Sequence, residues 1–179
     1  MKKYQVLLIL GVMFLLPIVI AKVMLAQHWY TGGVTNRGQL ITPPITVNKL
    51  AEPGKWKLLY WLPTHCDKRC ESALFHLRQI PIAVGAEQQR VNSVVLLAST
   101  MQSDTSLPLL AGIERYNSGV SEHRLFESSA YGANAVYIVD PHGNVMLAYP
   151  LVSEKTAMLA QGKEILHDLK RLLKVSKIG

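Results

Sequence analysis

An apolar run near the N-terminus constrains this 179-residue chain more than any other feature. Between Tyr4 and Ala26 the sequence reads YQVLLILGVMFLLPIVIAKVMLA, and Lys22 is its only charged residue. As a helix that rises 1.5 Å per residue, this run is roughly 30–35 Å long, enough to cross the hydrocarbon core of a bilayer. The run therefore predicts a transmembrane helix, inside which Pro17 is tolerable.

The charges beside the run predict its orientation. Lys2 and Lys3 precede it, so the positive-inside rule places the N-terminus in the cytoplasm. We therefore expect a single-pass protein of the inner (cytoplasmic) membrane, with the remaining chain in the periplasm. The alternative is a cleaved signal peptide. The run is long for that role, and the best cleavage candidate, Met24-Leu25-Ala26, lacks a small residue at its first position.

The chain is expected to have three parts: a membrane anchor over residues 1–30, a linker over 31–54 and a domain over 55–179. The linker is rich in Gly, Pro, Thr and Asn, with one short strand expected near Gln39–Ile41 or Ile45–Val47. The domain is long enough to bury a single core. Lys and Arg exceed Asp and Glu by 19 to 12, but no basic cluster or stacking motif predicts nucleic-acid binding.

Hydrophobic patterning predicts alternating strands and helices in the domain. The predicted strands are short apolar runs: Lys55–Leu62, Val91–Ala98, Ala135–Val139 and Asn144–Tyr149. The predicted helices are Asp67 to about Ile80, Leu107–Asn117 and Lys155–Lys174. Pro81 marks the end of the first helix or a kink, and the turn Asp140-Pro141-His142-Gly143 makes a hairpin of the last two strands. This order predicts an α/β sandwich, a central mixed sheet with helices on both faces.

The only two cysteines lie between the first predicted strand and helix, in the stretch LPTHCDKRCESAL. Free N–H groups and the helix dipole favour a thiolate at Cys66, and Lys68 and Arg69 add positive charge. Residues four apart share a helix face, so Cys66 and Cys70 can close a disulfide or offer two soft sulfurs to one Cu(I) ion. A purely structural disulfide is the third interpretation, but a loop this short would stabilise the fold little.

Two histidines are candidates for a place beside the cysteines. His65 adjoins Cys66 and could tune its thiolate or ligate a metal. His123 lies in the unassigned segment from Ser118 to Gly132, which could fold back toward the pair. We expect the other histidines, and Met101, to occupy packing, turn or surface positions; these histidines are His28, His76, His142 and His167.

Five segments of the chain match one family pattern. They are Asn36-Arg37-Gly38-Gln39-Leu40-Ile41, Leu58-Leu59-Tyr60-Trp61, Cys66-Asp67-Lys68-Arg69-Cys70, Ser103-Asp104-Thr105 and Ala135-Val136-Tyr137-Ile138-Val139-Asp140-Pro141-His142-Gly143-Asn144-Val145. Through these segments, from Thr35 to Leu173, the sequence resembles the Sco (SenC) branch of the thioredoxin-like superfamily, membrane-anchored factors that help assemble the copper centre of cytochrome c oxidase. The resemblance implies a thioredoxin-like fold. The sequence departs from the family at the copper site. In the family a histidine completes that site; the matching position here is near Gly132, within Tyr131-Gly132-Ala133-Asn134, where there is no histidine. The Ser103-Asp104-Thr105 segment also lacks the family's Arg and Pro. Only the two cysteines carry over.

The resemblance implies an assembly factor whose partner is a cytochrome c oxidase subunit or another oxidase assembly factor. Cys66 would be the attacking thiol and Cys70 the resolving thiol of a thiol–disulfide reductant. As a Cu(I) carrier, the chain would use Cys66 and Cys70 with His65 as ligands. Two alternatives remain open. One is a general periplasmic thiol–disulfide oxidoreductase, although this sequence lacks the two-residue spacing between the cysteines and the cis-Pro loop that are usual in general thioredoxins. The other is a non-catalytic scaffold for oxidase assembly.

Overall fold

The computed structural model describes residues 3–27, 35–98, 110–127 and 131–176. The chain divides into two compact units, Met1–Thr35 and Asn36–Gly179. The first unit contains helix α1 (Lys3–Ala26), none of whose residues is buried. This helix is long and apolar enough to cross a membrane, so the predicted apolar helix is confirmed.

The second unit is built on a six-stranded sheet with the order β1-β6-β5-β2-β3-β4. Its strands are β1 (Gln39–Thr46), β2 (Trp56–Leu62), β3 (Val91–Ala98), β4 (Glu114–Ser118), β5 (Ala135–Val139) and β6 (Asn144–Pro150). The β2–β3 and β3–β4 pairs are parallel, and the other pairs are antiparallel. The sheet is therefore mixed, as predicted, and β5, β2 and β3 lie next to one another in it.

Helices cover both faces of the sheet. They are α2 (Lys68–Val84), α3 (Val120–Glu127) and α4 (Lys155–Val175). On one face α2 and α4 bury apolar side chains such as Leu77 and Leu169. On the other face Phe126 of α3 packs its ring on Trp61 and Tyr137, with ring centroids 5.9 and 5.3 Å apart. The predicted sandwich is thus confirmed.

Helix α2 continues past Pro81 to Val84, so the expected end near Ile80 is wrong. Proline has no N–H group, and the carbonyl one turn earlier, that of Leu77, loses its usual helical partner. The Ser93 hydroxyl of β3 donates a hydrogen bond to that carbonyl. The sheet thereby satisfies the group that Pro81 leaves unpaired, and the helix runs on to Gly85, which has a φ of 82°.

The predicted helix over Leu107–Asn117 is wrong in the part that the structure describes. Gly112 has a φ of 78°, a left-handed conformation that interrupts a right-handed helix. After it, β4 pairs in parallel with β3, and this pairing satisfies backbone groups that a helix would have bonded internally. Residues 101–109, including Met101, lie outside the described residues. Helix α3 lies within the segment from Ser118 to Gly132, which was unassigned from the sequence.

The chain expected as a linker contributes a strand to the sheet. β1 covers Gln39–Ile41 and all but the last residue of Ile45–Val47, the two positions proposed for a short strand, and it pairs with β6 at the sheet edge. The pairing register shifts between Leu40 and Ile45, where the Thr42–Pro43 peptide bond is cis. Gln39–Thr46, which was expected to be linker, is therefore part of the folded sheet.

A buried carboxylate fixes the chain that precedes β1. Asp168 of α4 is 2% exposed, and its Oδ2 accepts hydrogen bonds from Arg37 N (2.6 Å), Gly38 N (2.8 Å) and the Tyr149 hydroxyl (2.8 Å). Burial by itself raises the pKa of the Asp168 carboxyl, but the bonds from Gly38, Tyr149, His167 and Arg37 outweigh it and hold the pKa below its usual value. A side chain at position 38 would collide with the Tyr149 ring, so only glycine fits there.

We predict that Asp168→Ala lowers the free energy of unfolding by about 3 kcal/mol, because two backbone donors and a buried hydroxyl lose their acceptor. Urea unfolding of the full chain in non-ionic detergent, followed by tryptophan fluorescence, measures the loss. Glu164→Ala, on the exposed side of α4, is the matched control and should change stability by less than about 0.5 kcal/mol. Equal losses in the two variants would contradict the role assigned to Asp168.

Candidate functional site

The cysteine pair lies where the central strand β2 leads into α2. β2 ends at Leu62, and Pro63 begins a short loop that carries Cys66 to the start of the helix. Cys66 and Cys70 form a disulfide, with 5.1 Å between their Cα atoms. The structure therefore has the two cysteines bonded to each other. Both a redox pair and a structural disulfide have this form.

The two sulfurs differ in their access to solvent. Cys70 is fully buried within the core under α2. Cys66 is half-buried, packs against the same core and lies at the protein surface. Because attack on a disulfide requires access to one of its sulfurs, a second molecule reaches Cys66 first.

Asp67 caps the helix between the two cysteines. Its Oδ1 accepts hydrogen bonds from Arg69 N (3.0 Å) and Cys70 N (2.9 Å). Asp67 Oδ2 also lies 3.7 Å from Arg69 Nε. The carboxylate thus occupies N–H groups that we expected to be free for a Cys66 thiolate, and it places a negative charge on the residue that follows Cys66. An aspartate directly before a helix is a typical N-cap, so this residue was visible in the sequence.

His65 is exposed in the loop between β2 and α2, next to Cys66 in the chain. Its role as a ligand or as a modulator of the thiolate stays a prediction. His123 lies in α3, and its side chain is outside what the structure describes. In the described ranges, no three or more His, Cys, Asp or Glu side chains form a group that could hold a metal ion.

The position at which the resemblance places a histidine is a tight turn. The turn runs from Tyr131 to Asn134, with a 2.8 Å hydrogen bond from Asn134 N to Tyr131 O. Gly132 has a φ of 50°, and its carbonyl accepts a 2.6 Å hydrogen bond from the Tyr137 hydroxyl. Because β5 is antiparallel to β2, this turn lies at the same end of the sheet as the cysteines. Glycine adopts this left-handed backbone conformation readily.

Three other histidines have the packing or surface positions expected for them, and His28 lies outside the described residues. His76 is buried against Gly162 between α2 and α4. Burial lowers the pKa of its imidazole to about 4, although a hydrogen bond with the Gln161 side chain acts to raise it. His142 is in the hairpin turn, and His167 Nδ1 is 3.1 Å from Asp168 Oδ1.

Comparisons with known proteins agree with this architecture. The family described as transmembrane-like, thioredoxin-like, C-terminal domain matches residues 56–176. The apo Sco1 protein from Thermus thermophilus has a similar structure, with a TM-score of 0.55 and 14% identity over 79% of this chain and 99% of that chain. Among curated proteins, none matches the sequence.

Two further solved structures are similar at lower TM-scores. ScoI from Bradyrhizobium japonicum, solved with copper bound, has a TM-score of 0.49 and 19% identity over 69% of this chain and 87% of that chain. BsSco, a member of the Sco family of cytochrome c oxidase assembly proteins, has a TM-score of 0.48 and 16% identity over 79% and 98% of the two chains.

A mixed sheet between two layers of helices, with a cysteine pair at the start of the helix after a central strand, defines a thioredoxin-like protein. The family match covers well over half of the sequence. The chain therefore belongs to the transmembrane-like, thioredoxin-like C-terminal domain family, and its similarity to Sco1 shows the same fold.

We predict that Asp67→Asn raises the reduction potential of the Cys66–Cys70 pair by about 30 mV. Asparagine retains an oxygen that caps α2 but removes the charge that disfavours a neighbouring thiolate. Equilibration of the full chain with dithiothreitol redox buffers measures the potential. Glu164→Gln removes a carboxylate on α4 and should leave it unchanged. An unchanged potential in Asp67→Asn would contradict the proposed electrostatic effect.

Proposed function

We propose that this chain is a membrane-anchored assembly factor for cytochrome c oxidase that reduces a disulfide of a partner protein through Cys66 and Cys70. The observation that carries the proposal is the pairing of an accessible Cys66 with a buried Cys70 at the start of α2. The thioredoxin-like fold supports a thiol–disulfide role. The oxidase as target rests on the resemblance of the motif segments to the Sco branch, and the partner is an oxidase subunit or another assembly factor.

The proposed reaction starts from the reduced pair. The Cys66 thiolate attacks one sulfur of the partner's disulfide, forming a mixed disulfide and releasing the partner's other sulfur as a thiolate. The Cys70 thiolate then attacks the Cys66 sulfur and releases the partner's second thiolate. The partner gains two electrons, and the Cys66–Cys70 disulfide is restored. A thiol reductant must return the pair to its reduced form.

The membrane helix gives this reaction its proposed location. We place the N-terminus of α1 in the cytoplasm, because Lys2 and Lys3 precede it, and the folded domain in the periplasm. Disulfides form and persist in that compartment, whereas cytosolic thiols are kept reduced. The Cys66–Cys70 disulfide is consistent with such a location.

Copper delivery is the second form of the same proposal. When reduced, Cys66 and Cys70 would offer two soft sulfurs to Cu(I) as cargo, and His65 is the third ligand we propose. The described residues do not assemble a group of three ligands at the pair, and a turn with Gly132 replaces the histidine expected from the resemblance. These observations favour the thiol–disulfide form. A general oxidoreductase and a non-catalytic scaffold also need no copper ligands, so they are the alternatives to this proposal.

Complementation tests the proposal in cells that lack the protein. Cys66→Ser/Cys70→Ser should reduce cytochrome c oxidase activity in membranes to the level of the deletion strain, and added copper should not restore it. Glu164→Ala, on the exposed side of α4, is the control variant, and immunoblots compare the expression of the two variants. Full oxidase activity with the double cysteine variant would overturn the proposal in favour of a scaffold.

Titration of the full chain with Cu(I) against a chromophoric chelator separates the two forms. The proposal in its thiol–disulfide form predicts that the reduced protein competes no better than Cys66→Ser/Cys70→Ser. Binding of one ion per chain that is lost in the double variant, and weakened in His65→Ala, would instead establish the copper carrier.

A further inference from the structure

The sheet topology brings the N-termini of α2 and α4 to the same end of the domain. β6 is antiparallel to β5, and β5 is antiparallel to β2, so β6 and β2 run in the same direction. α2 follows β2, α4 follows β6, and both helices pack on the same face of the sheet. The two helix N-termini therefore lie side by side at the end of the sheet that carries Cys66.

A groove of about 540 Å³ lies between α2, from Lys68 to Arg78, and the start of α4. We call it the α2–α4 groove. Its charged lining residues are three bases, Lys68, Arg78 and Lys155, and one acid, Glu71. The groove is therefore positively charged, and its volume is within the range of about 300–1,000 Å³ that is typical of ligand sites.

Two polar features of the groove suit an anionic group. Ser72 lines it and is 5% exposed, yet its Oγ has no hydrogen-bond partner in the described part of the chain. Because buried hydroxyl groups are normally bonded, this one is available to a ligand. Glu154 is the N-cap residue of α4. Its carboxylate accepts a hydrogen bond from the Thr156 hydroxyl and accepts none from the N–H groups at the start of the helix. Such N–H groups attract anions.

We propose that the α2–α4 groove binds a carboxylate-rich segment next to the cysteines of the partner protein. This inference rests on the proposed function and names the chemistry of its substrate. The groove begins at Lys68, two residues beyond Cys66, so a chain whose sulfur reacts at Cys66 continues into it. Carboxylates there meet Lys68, Arg78 and Lys155, and the Ser72 hydroxyl can donate to them. The reacting partner disulfide is therefore flanked by aspartate or glutamate.

Disulfide-linked dimers of two short peptides test the inference with the reduced full chain in non-ionic detergent. One peptide contains Glu-Glu-Cys-Glu-Glu, and the other contains Gln-Gln-Cys-Gln-Gln. The quantity compared is the rate constant for the acidic dimer divided by that for the neutral dimer, because this ratio cancels effects on the cysteines themselves. Lys155→Glu should lower the ratio about fivefold, as expected for reversing one charge of an ion pair. The ratio should also fall in about 1 M salt, where charges are screened within ~3 Å.

Lys163→Glu is the matched control, because this lysine is exposed on the same helix outside the groove. Lys155 is the first residue of α4, where an acidic side chain does not weaken the helix. The control should keep the ratio of the unmodified protein. Equal ratios in Lys155→Glu and Lys163→Glu would overturn the inference about the groove. Reduction of the neutral dimer in that case would still support the proposed thiol–disulfide function.

A binding measurement keeps the inference testable if neither dimer is reduced, which would count against the proposed function. Fluorescein-labelled peptides with serine in place of cysteine are titrated with the full chain, and fluorescence anisotropy is followed. The acidic peptide should bind more tightly than the neutral one, and Lys155→Glu should weaken it about fivefold relative to Lys163→Glu. Equal binding of the two peptides would overturn the inference.

Discussion

Burial of β2 on both faces is the constraint on which the rest of the domain depends. All seven of its residues are buried, and even Lys57 is enclosed, with its Nζ 2.9 Å from Glu52 Oε2. A strand with two apolar faces must lie inside a sheet that is covered on both sides. Its carboxyl end is therefore fixed within the fold, and the loop that follows holds Cys66 at one defined edge.

Electrostatic effects of opposite sign meet at that edge. The N-terminus of α2 and the nearby bases favour a thiolate, whereas Asp67 caps the helix and opposes one. Lys68 contributes both to the surroundings of Cys66 and to the α2–α4 groove. The same arrangement that tunes the sulfur thus also provides a surface on which an acidic partner can align its own sulfur with Cys66.

The sequence predicted the elements whose apolar patterns are strong, and it missed those that depend on distant partners. β2, β3, the β5–β6 hairpin and α4 follow from such patterns, and the cysteine pair follows from its place between strand and helix. The extension of α2 past Pro81 requires the Ser93 hydroxyl from another strand, and β4 forms by pairing with β3. Asp168 accepts a hydrogen bond from the N–H group of Gly38, which lies 130 residues earlier in the chain. Local patterning carries no information on such contacts.

The central claim is that Cys66 and Cys70 are a redox pair rather than a structural crosslink. Its most direct test is a redox titration of the full chain, in which thiols are trapped with a maleimide that adds mass and counted on a gel. The account predicts a two-electron transition at a potential above about −300 mV, within reach of biological thiols. A pair that stays oxidised at more negative potentials would be a structural disulfide and would contradict the account.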